Sequence, residues 1–218
     1  MSVKRQVLVT GGSGGLGSAV VSDLKERGWE VVAPSRAELD VVKREEIELW
    51  MKKLDRLDAV VHAAGWLDDE LMLKMEGQQW DGLMEVHLRS SFLLLRAALP
   101  LLRVGDGQVI LIGSYSGVHG AVGQAAYAAA KAGLIGLAMS FAREEGQHGV
   151  RCNVVLPGFL ETRMTEELLQ DEGFKNKILS AHVLGKLNVV SEAARFIGDL
   201  LSYDMISGQV FQLDSRVG

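Results

Sequence analysis

Six short runs rich in β-branched residues alternate along this chain with longer segments whose apolar residues recur at helical spacing, and that alternation admits few folds. The runs are Gln6 to Thr10, Glu30 to Pro34, Asp58 to Ala63, Gln108 to Gly113, Val150 to Leu156 and Gln209 to Leu213. Strands joined through helices pair in parallel, and a parallel sheet must be covered on both faces. The expected class is therefore α/β, a single doubly wound parallel sheet with helices on both faces. Between the first two runs Leu16, Val20 and Leu24 form one apolar stripe of a helix that Gly28 can stop. Lys43 to Lys53, Gly77 to Arg96, Gly123 to Gly146 and Val190 to Ser202 read as further helices.

With 218 residues, 48% of them hydrophobic, the chain can bury one core, and 1–218 is read as one domain. The net charge of −5 is scattered, with no basic patch for nucleic acid or for a membrane surface, so neither partner is expected. No apolar run approaches the roughly 20 residues of a membrane span. Met1 to Thr10 lacks the parts of a secretory signal. The single cysteine, Cys152, lies in an apolar run and reads as a buried, inert thiol; without a disulfide, a reducing, cytoplasmic location is expected. His119 and His182 fall in loops as solvated side chains, and with no ligand spacing among the histidines no metal is expected.

The turn Thr10-Gly11-Gly12-Ser13-Gly14-Gly15-Leu16-Gly17 joins the first strand to the first helix. There a dinucleotide pyrophosphate can meet backbone N–H groups and a helix N-terminus, and a Cβ would block both the tight turn and the approach of phosphate. The run fits the Rossmann GxGxxG pattern through Gly12, Gly14 and Gly17, and equally TGxxxGxG through Thr10, Gly11, Gly15 and Gly17. A site for NAD usually carries an acid at the end of the second strand, whereas this strand ends Pro34-Ser35-Arg36. Serine removes the acid's charge and arginine can pair with a 2′-phosphate, so NADP(H) is expected rather than NAD(H). Against this stand Glu38, near enough to offer a substitute carboxylate, and the reading of Arg36 as an ordinary solvated charge.

Tyr127 and Lys131 lie four residues apart in a helical run of small residues, on one face. An ammonium ~4 Å from a phenol is worth ~4 kcal/mol at an effective dielectric of ~20, roughly three pKa units, which would make the pair a general acid and base. By itself such a pair is usually a surface contact. Its significance comes from Ser114, which closes the strand Gln108 to Gly113 at the border of a ligand crevice and can hydrogen-bond a carbonyl.

Together, the Thr10 to Gly17 turn, Ser114, Tyr127-x-x-x-Lys131 and Asn153-Val154-Val155-Leu156-Pro157-Gly158 resemble the short-chain dehydrogenase/reductase family over nearly the whole chain. The segments Gln124 to Leu134 and Pro157 to Thr162 are especially similar to bacterial 3-oxoacyl-(acyl carrier protein) reductases. The resemblance implies that Ser114 polarises the carbonyl, that Tyr127 is the acid/base, and that Lys131 holds the nicotinamide ribose and lowers the tyrosine's pKa. It assigns Asp40 and Val41 to the adenine, Ala63, Ala64 and Gly65 to the ribose side, and Pro157, Gly158, Leu160 and Thr162 to the nicotinamide end. It also implies a homo-oligomer, dimer or tetramer, and a substrate lid around 162–185. In that lid Met164, Leu168, Leu169, Phe174 and Ile178 would suit an acyl substrate, unless they simply pack on the core.

The chain departs from the family pattern in several places. His62-Ala63-Ala64-Gly65 replaces Asn-Asn-Ala-Gly, which bears on sheet hydrogen bonding. The basic residue of NADP-dependent members is missing at Gly14. The close spacing of Arg36 and Asp40 reduces the usual second helix and third strand almost to a loop. His87 aligns with an asparagine that helps hold a proton-relay water; it either takes that part, titrating near pH 6 to 7, or packs against the sheet. Leu213-Asp214-Ser215-Arg216 stands in place of an Asp-Gly-Gly ending. The expected activity is reduction of a carbonyl by NADPH, with a 3-oxoacyl thioester as leading substrate. The alternatives are a reductase or dehydrogenase of a free ketone, steroid or polyol, and a noncatalytic NADP-binding sensor or partner protein. Trp66 either lines the pocket's edge or packs.

Overall fold

The structure, a computed structural model, describes residues 4–217; residues 1–3, part of the stretch tested above for a secretory signal, and residue 218 lie outside it. In chain order the elements are β1 (Gln6–Thr10), α1 (Gly15–Glu26), β2 (Glu30–Val32), α2 (Arg44–Met51), β3 (Ala59–His62), α3 (Gly77–Met84), α4 (Ser90–Leu102), β4 (Gln108–Ile112), α5 (Ser116–His119), α6 (Ala125–Glu145), β5 (Arg151–Leu156), α7 (Glu166–Gln170), α8 (Glu172–Ser180), α9 (Val190–Leu200) and β6 (Val210–Gln212). The six strands form one parallel sheet in the order β2-β1-β3-β4-β5-β6.

Side-chain alternation divides the core between the two faces of this sheet. Leu8, Val60, Val109, Leu111 and Val154 point to one face, where they meet Ile47 of α2, Leu94 and Leu102 of α4, and Leu134 and Ala138 of α6. Val7, Val9, Ala59, Val61, Ile110 and Val155 point to the other, against Val20 and Leu24 of α1 and Ala194 and Ile197 of α9. The inner strands β1, β3, β4 and β5 are buried on both faces and read as continuous apolar runs, whereas the partly exposed edge strands β2 and β6 were visible by their β-branched and aromatic residues.

The differences from expectation lie at ends and insertions. β2 stops at Val32, two residues short of Pro34, and no strand forms in 33–43, as the close spacing of Arg36 and Asp40 implies. The helix read from Gly77 to Arg96 runs on to Leu102 and is interrupted by a π-helical turn, Glu85–Arg89. The short helices α5, α7 and α8 have no buried residue and so leave no apolar period in the sequence. The helical segment Ala125–His148, contrary to the sequence reading, is long and apolar enough to cross a membrane by length and composition. In the fold its α6 portion packs against β5, α3 and α5, and it carries Tyr127 and Lys131.

Candidate active site

From β1 the chain crosses to β2 on one side, and from β3 it continues to β4 on the other, so the winding reverses between β1 and β3. A crevice opens outside the carboxyl ends of strands at such a reversal. The glycine turn lies there. Gly11 takes φ +70°, and a Cβ on it would stand 2.7 Å from the backbone of Ala63 and Ala64. At Gly17 a Cβ would fall 2.1 Å from the Gly11 carbonyl oxygen, so only glycine lets the first turn of α1 close on the loop. No side chain caps α1, and the first N–H groups of a helix have no partner within it. Donors, positive helix end and bare backbone together make a cradle that fits a pyrophosphate. The Thr162 methyl comes within 2.6 Å of where a Gly15 Cβ would be, so the distant Leu160 to Thr162 segment also reaches this turn.

Beyond β2, the Ser35 N–H and hydroxyl both donate to Glu38 Oε2, at 2.8 and 2.7 Å. These bonds hold the Glu38 carboxyl below its ordinary pKa. The Arg36 side chain is 83% exposed, its Nε 3.9 Å from Asp40 Oδ2. Val41 is buried in the core, so its side chain faces inward.

Ser114, Tyr127 and Lys131 converge beyond the end of β4. Ser114 Oγ accepts the Ser116 N–H at 3.2 Å, and the Ser114 hydroxyl lies close enough to Tyr127 to draw its pKa down. Burial pushes the Tyr127 phenol up, Ser114 draws it down, and the charge of Asp69 raises it again. Lys131 is buried, with Nζ 5.6 Å from the centre of the Tyr127 ring, and donates to the Ile112 carbonyl at 2.6 Å. Burial lowers its pKa to about 7. The expectation of a close ammonium drawing the phenol down is thus not met: a buried cation with no carboxylate turns to the nearest carbonyl instead.

His87 requires a second correction. Its Nε2–H donates to the Trp66 carbonyl at 2.8 Å, because a carbonyl can only accept. Burial foremost, then the charge of Lys131, lowers its pKa to about 3, so the imidazole does not titrate near neutrality. Nδ1 is buried with no hydrogen-bond partner. Gly65 lies flat on the ring, where a Cβ would be 2.3 Å from Cε1.

Two hydrogen-bonded chains support the site, and neither had a spacing signal in the sequence. In one, Asp69 Oδ2 accepts from Gln124 Nε2 at 2.7 Å, and Gln124 Oε1 accepts from Ser116 Oγ at 2.7 Å. In the other, Ser90 Oγ donates to the Val86 carbonyl at 2.6 Å and so accepts from His62 Nε2 at 3.1 Å. His62 Nδ1 is then the acceptor for the Thr10 hydroxyl at 2.6 Å. Every bond is satisfied by a neutral imidazole, and burial lowers the His62 pKa to about 3. His62 ties β1, β3 and the start of α4 together, the sheet role anticipated for this departure. Among the described residues no group of three or more His, Cys, Asp or Glu side chains is arranged to hold a metal.

A family model described as enoyl-(acyl carrier protein) reductase matches residues 34–215. The 3-oxoacyl-[acyl-carrier-protein] reductase FabG of Escherichia coli is 35% identical, over 89% of this chain and 88% of its own. That of Thermotoga maritima is 31% identical over 95% of each. Among solved structures, the TT0495 protein of Thermus thermophilus superposes with a TM-score of 0.90 at 29% identity, covering 98% of both chains.

Proposed function

The chain belongs to the short-chain dehydrogenase/reductase family and is an NAD(P)-dependent oxidoreductase acting on CH–OH and C=O groups, and from that premise we propose that it is an NADPH-dependent carbonyl reductase whose leading substrate class is a 3-oxoacyl thioester. The observation that carries the reading is the meeting of Ser114, Tyr127 and Lys131 beyond β4. A bound nicotinamide dinucleotide would supply the hydride. Residues Gly11 to Gly17 would hold its pyrophosphate, Ser35 and Arg36 its 2′-phosphate, Asp40 and Val41 its adenine. Ala63, Ala64 and Gly65 would line its ribose side, Lys131 would hold the nicotinamide ribose with Tyr127 beside it, and Pro157, Gly158, Leu160 and Thr162 would meet the nicotinamide end.

The chain's own groups then supply polarisation and a proton. Ser114 Oγ accepts the Ser116 N–H, which orients the hydroxyl, and a bound carbonyl oxygen would take its proton in a hydrogen bond. Tyr127, its phenol pushed up by burial, stays protonated at neutral pH and can give its proton to that oxygen as hydride reaches the carbon. Lys131, with Nζ 5.6 Å from the centre of the Tyr127 ring and a pKa lowered to about 7, would in its protonated form stabilise the phenolate left behind.

The thioester is favoured by the kinship with FabG, and the partly exposed helices α7 and α8 would serve as its lid. A free ketone, steroid or polyol is the second reading. Positions aligned with the basic carrier-docking residues of carrier-protein reductases are Gly105 and His148, and the Tyr127 side of the site carries Asp69. A homo-oligomer, dimer or tetramer, is also proposed, on the half-exposed Phe92 and the groove it shares with Met84, Leu88 and Leu137. A cytoplasmic location belongs to the same proposal, with Cys152 buried and its thiol pushed up by burial. NADPH oxidation across a 3-oxoacyl thioester, a diketone and a steroid ketone tests the reading: turnover of the thioester is expected, and turnover of none would overturn it.

A further inference from the structure

A second cluster of buried charge lies at the C-terminal end of the chain. The Asp214 side chain, just past β6, is fully buried, and Arg216 turns back to it, Nε to Oδ2 at 2.6 Å with Nη2 beside the same oxygen. Gln212 Nε2 and the Arg216 N–H donate to Asp214 Oδ1 at 2.9 and 3.3 Å. His182 follows α8 and, contrary to its reading as a solvated loop residue, is 3% exposed. Its Nδ1–H donates to the Ile178 carbonyl at 2.7 Å, and its Nε2 lies 3.6 Å from Asp214 Oδ2. The backbones are joined as well: His182 pairs with Arg216 in an antiparallel bridge, and the Val183 N–H donates to the Ser215 carbonyl at 3.0 Å.

This cluster reaches the active site by two routes. The Arg216 guanidinium lies 3.9 Å from the centre of the Tyr115 ring, and that ring stacks on His119 at 4.1 Å. Tyr115 directly follows Ser114. Asp214 also backs Gly158, where φ is +86° and a Cβ would fall 2.7 Å from the Asp214 Cβ. Neither contact of Arg216 is open to the glycine that the family resemblance leads one to expect at that position. With its charge matched by Asp214 and its face on an aromatic ring, Arg216 is committed within the molecule rather than presented to a ligand.

We propose that Arg216 is a positioning residue: through Tyr115 it sets the turn that carries Ser114, and through Asp214 and the bridge to His182 it fixes the rear hinge of the segment 163–181. Lid and serine turn are thereby coupled through the C-terminal tail. The proposal rests on the reading of Ser114 as the group that polarises the carbonyl.

The test compares Arg216→Met, Arg216→Lys, Tyr115→Leu and the Met/Leu double variant by kcat and KM on the best carbonyl of the panel, by NADPH binding, and by hydrogen exchange. Arg216→Met should lower kcat ~10- to 100-fold, the scale of a small misplacement of a reacting group, with NADPH affinity unchanged. Exchange should rise in both 114–119 and 182–184. Arg216→Lys should recover part of kcat, because an ammonium still faces both the carboxylate and the ring. Tyr115→Leu should lose as much as Arg216→Met, and the double variant no more than the worse single one. Additive losses, or faster exchange at 182–184 with kcat unchanged, would overturn the proposal. If Arg216→Met does not fold, Tyr115→Leu leaves the Asp214–Arg216 pair in place and isolates the serine route, and unaltered kcat and unaltered exchange at 114–119 in that variant overturn the proposal. Absence of turnover in the parent would count against the reading of Ser114, while the exchange data would still decide the coupling.

Discussion

The Tyr127 ring stands edge-on to the His87 imidazole, centroids 5.0 Å apart and planes at 88°. With Nε2–H committed to Trp66 and the pKa lowered to about 3, His87 stands as a neutral wall behind the phenol. The pH–rate profiles of the parent and His87→Asn should therefore show the same ionisations between pH 6 and 8. His87→Ala, which removes the wall and the tether to the Trp66 loop, should lower kcat about 10-fold. Loss of a group near pH 6.5 in the Asn variant would return His87 to proton transfer.

Tyr127→Phe should keep the fold and NADPH binding while turnover falls ~10²- to 10⁴-fold, the usual contribution of a positioned acid. Stopped-flow hydride transfer with the best carbonyl is the measurement; a near-normal rate removes the phenol from the reaction.

Lys131 bears on stability as well as chemistry. Its folded pKa of about 7 lies below the ordinary 10.5, so between those values the unfolded chain binds more protons and stability rises with pH. Below pH 7 the ammonium is charged in both states and the cost of burying it is felt in full. Lys131→Met should therefore raise Tm at pH 6, and the gain should shrink toward pH 10. A gain independent of pH would mean that burial does not depress the lysine.

The two buried histidines act at the acid end. His62 and His87 have folded pKa values of about 3 against an ordinary 6.5, so their stabilisation is complete above pH 6.5 and is lost as pH falls toward 3. Each should remove about 2 kcal/mol between pH 7 and pH 5. Urea unfolding at the two pH values checks this, and His62→Asn should flatten the loss by about half. Equal pH sensitivity in that variant would show that His62 is not held neutral.

At the end of β2, Glu38 holds the two Ser35 donors that a 2′-phosphate would use. Glu38→Gln should tighten 2′,5′-ADP binding ~10-fold and leave 5′-ADP unchanged, the worth of one charge-assisted contact, whereas Arg36→Ala should weaken 2′,5′-ADP by a similar factor. Calorimetric titration of both nucleotides distinguishes them. If neither variant alters the ratio, the phosphate is read elsewhere or not at all.

The sequence made legible whatever depends on period or on unusual residue types. The inner strands were visible because both faces of the sheet are buried, and Gly11 and Gly17 because their backbones touch other backbone. Ser114, Tyr127 and Lys131, which meet beyond β4, stood out in the sequence by their spacing. What remained hidden was long-range and polar. Neither the Asp69–Gln124–Ser116 chain nor the burial of His182 against Asp214 leaves a local pattern, since the partners come from separate segments of the chain. The neutrality of His87 was equally out of reach, because it depends on burial and on the charge of Lys131, which the fold brings near.

The missing strand beyond β2 bears on how readily this enzyme can change. With nothing in 33–43 but turns, Ser35, Arg36 and Glu38 lie at the open margin of the sheet, all exposed and none packed into either core. Substitutions at such positions generally shift stability by no more than about 0.5 kcal/mol. The residues that would choose between phosphorylated and unphosphorylated dinucleotide are thus mechanically independent of those that hold the fold, and a lineage carrying this chain could vary them without first acquiring a more stable protein.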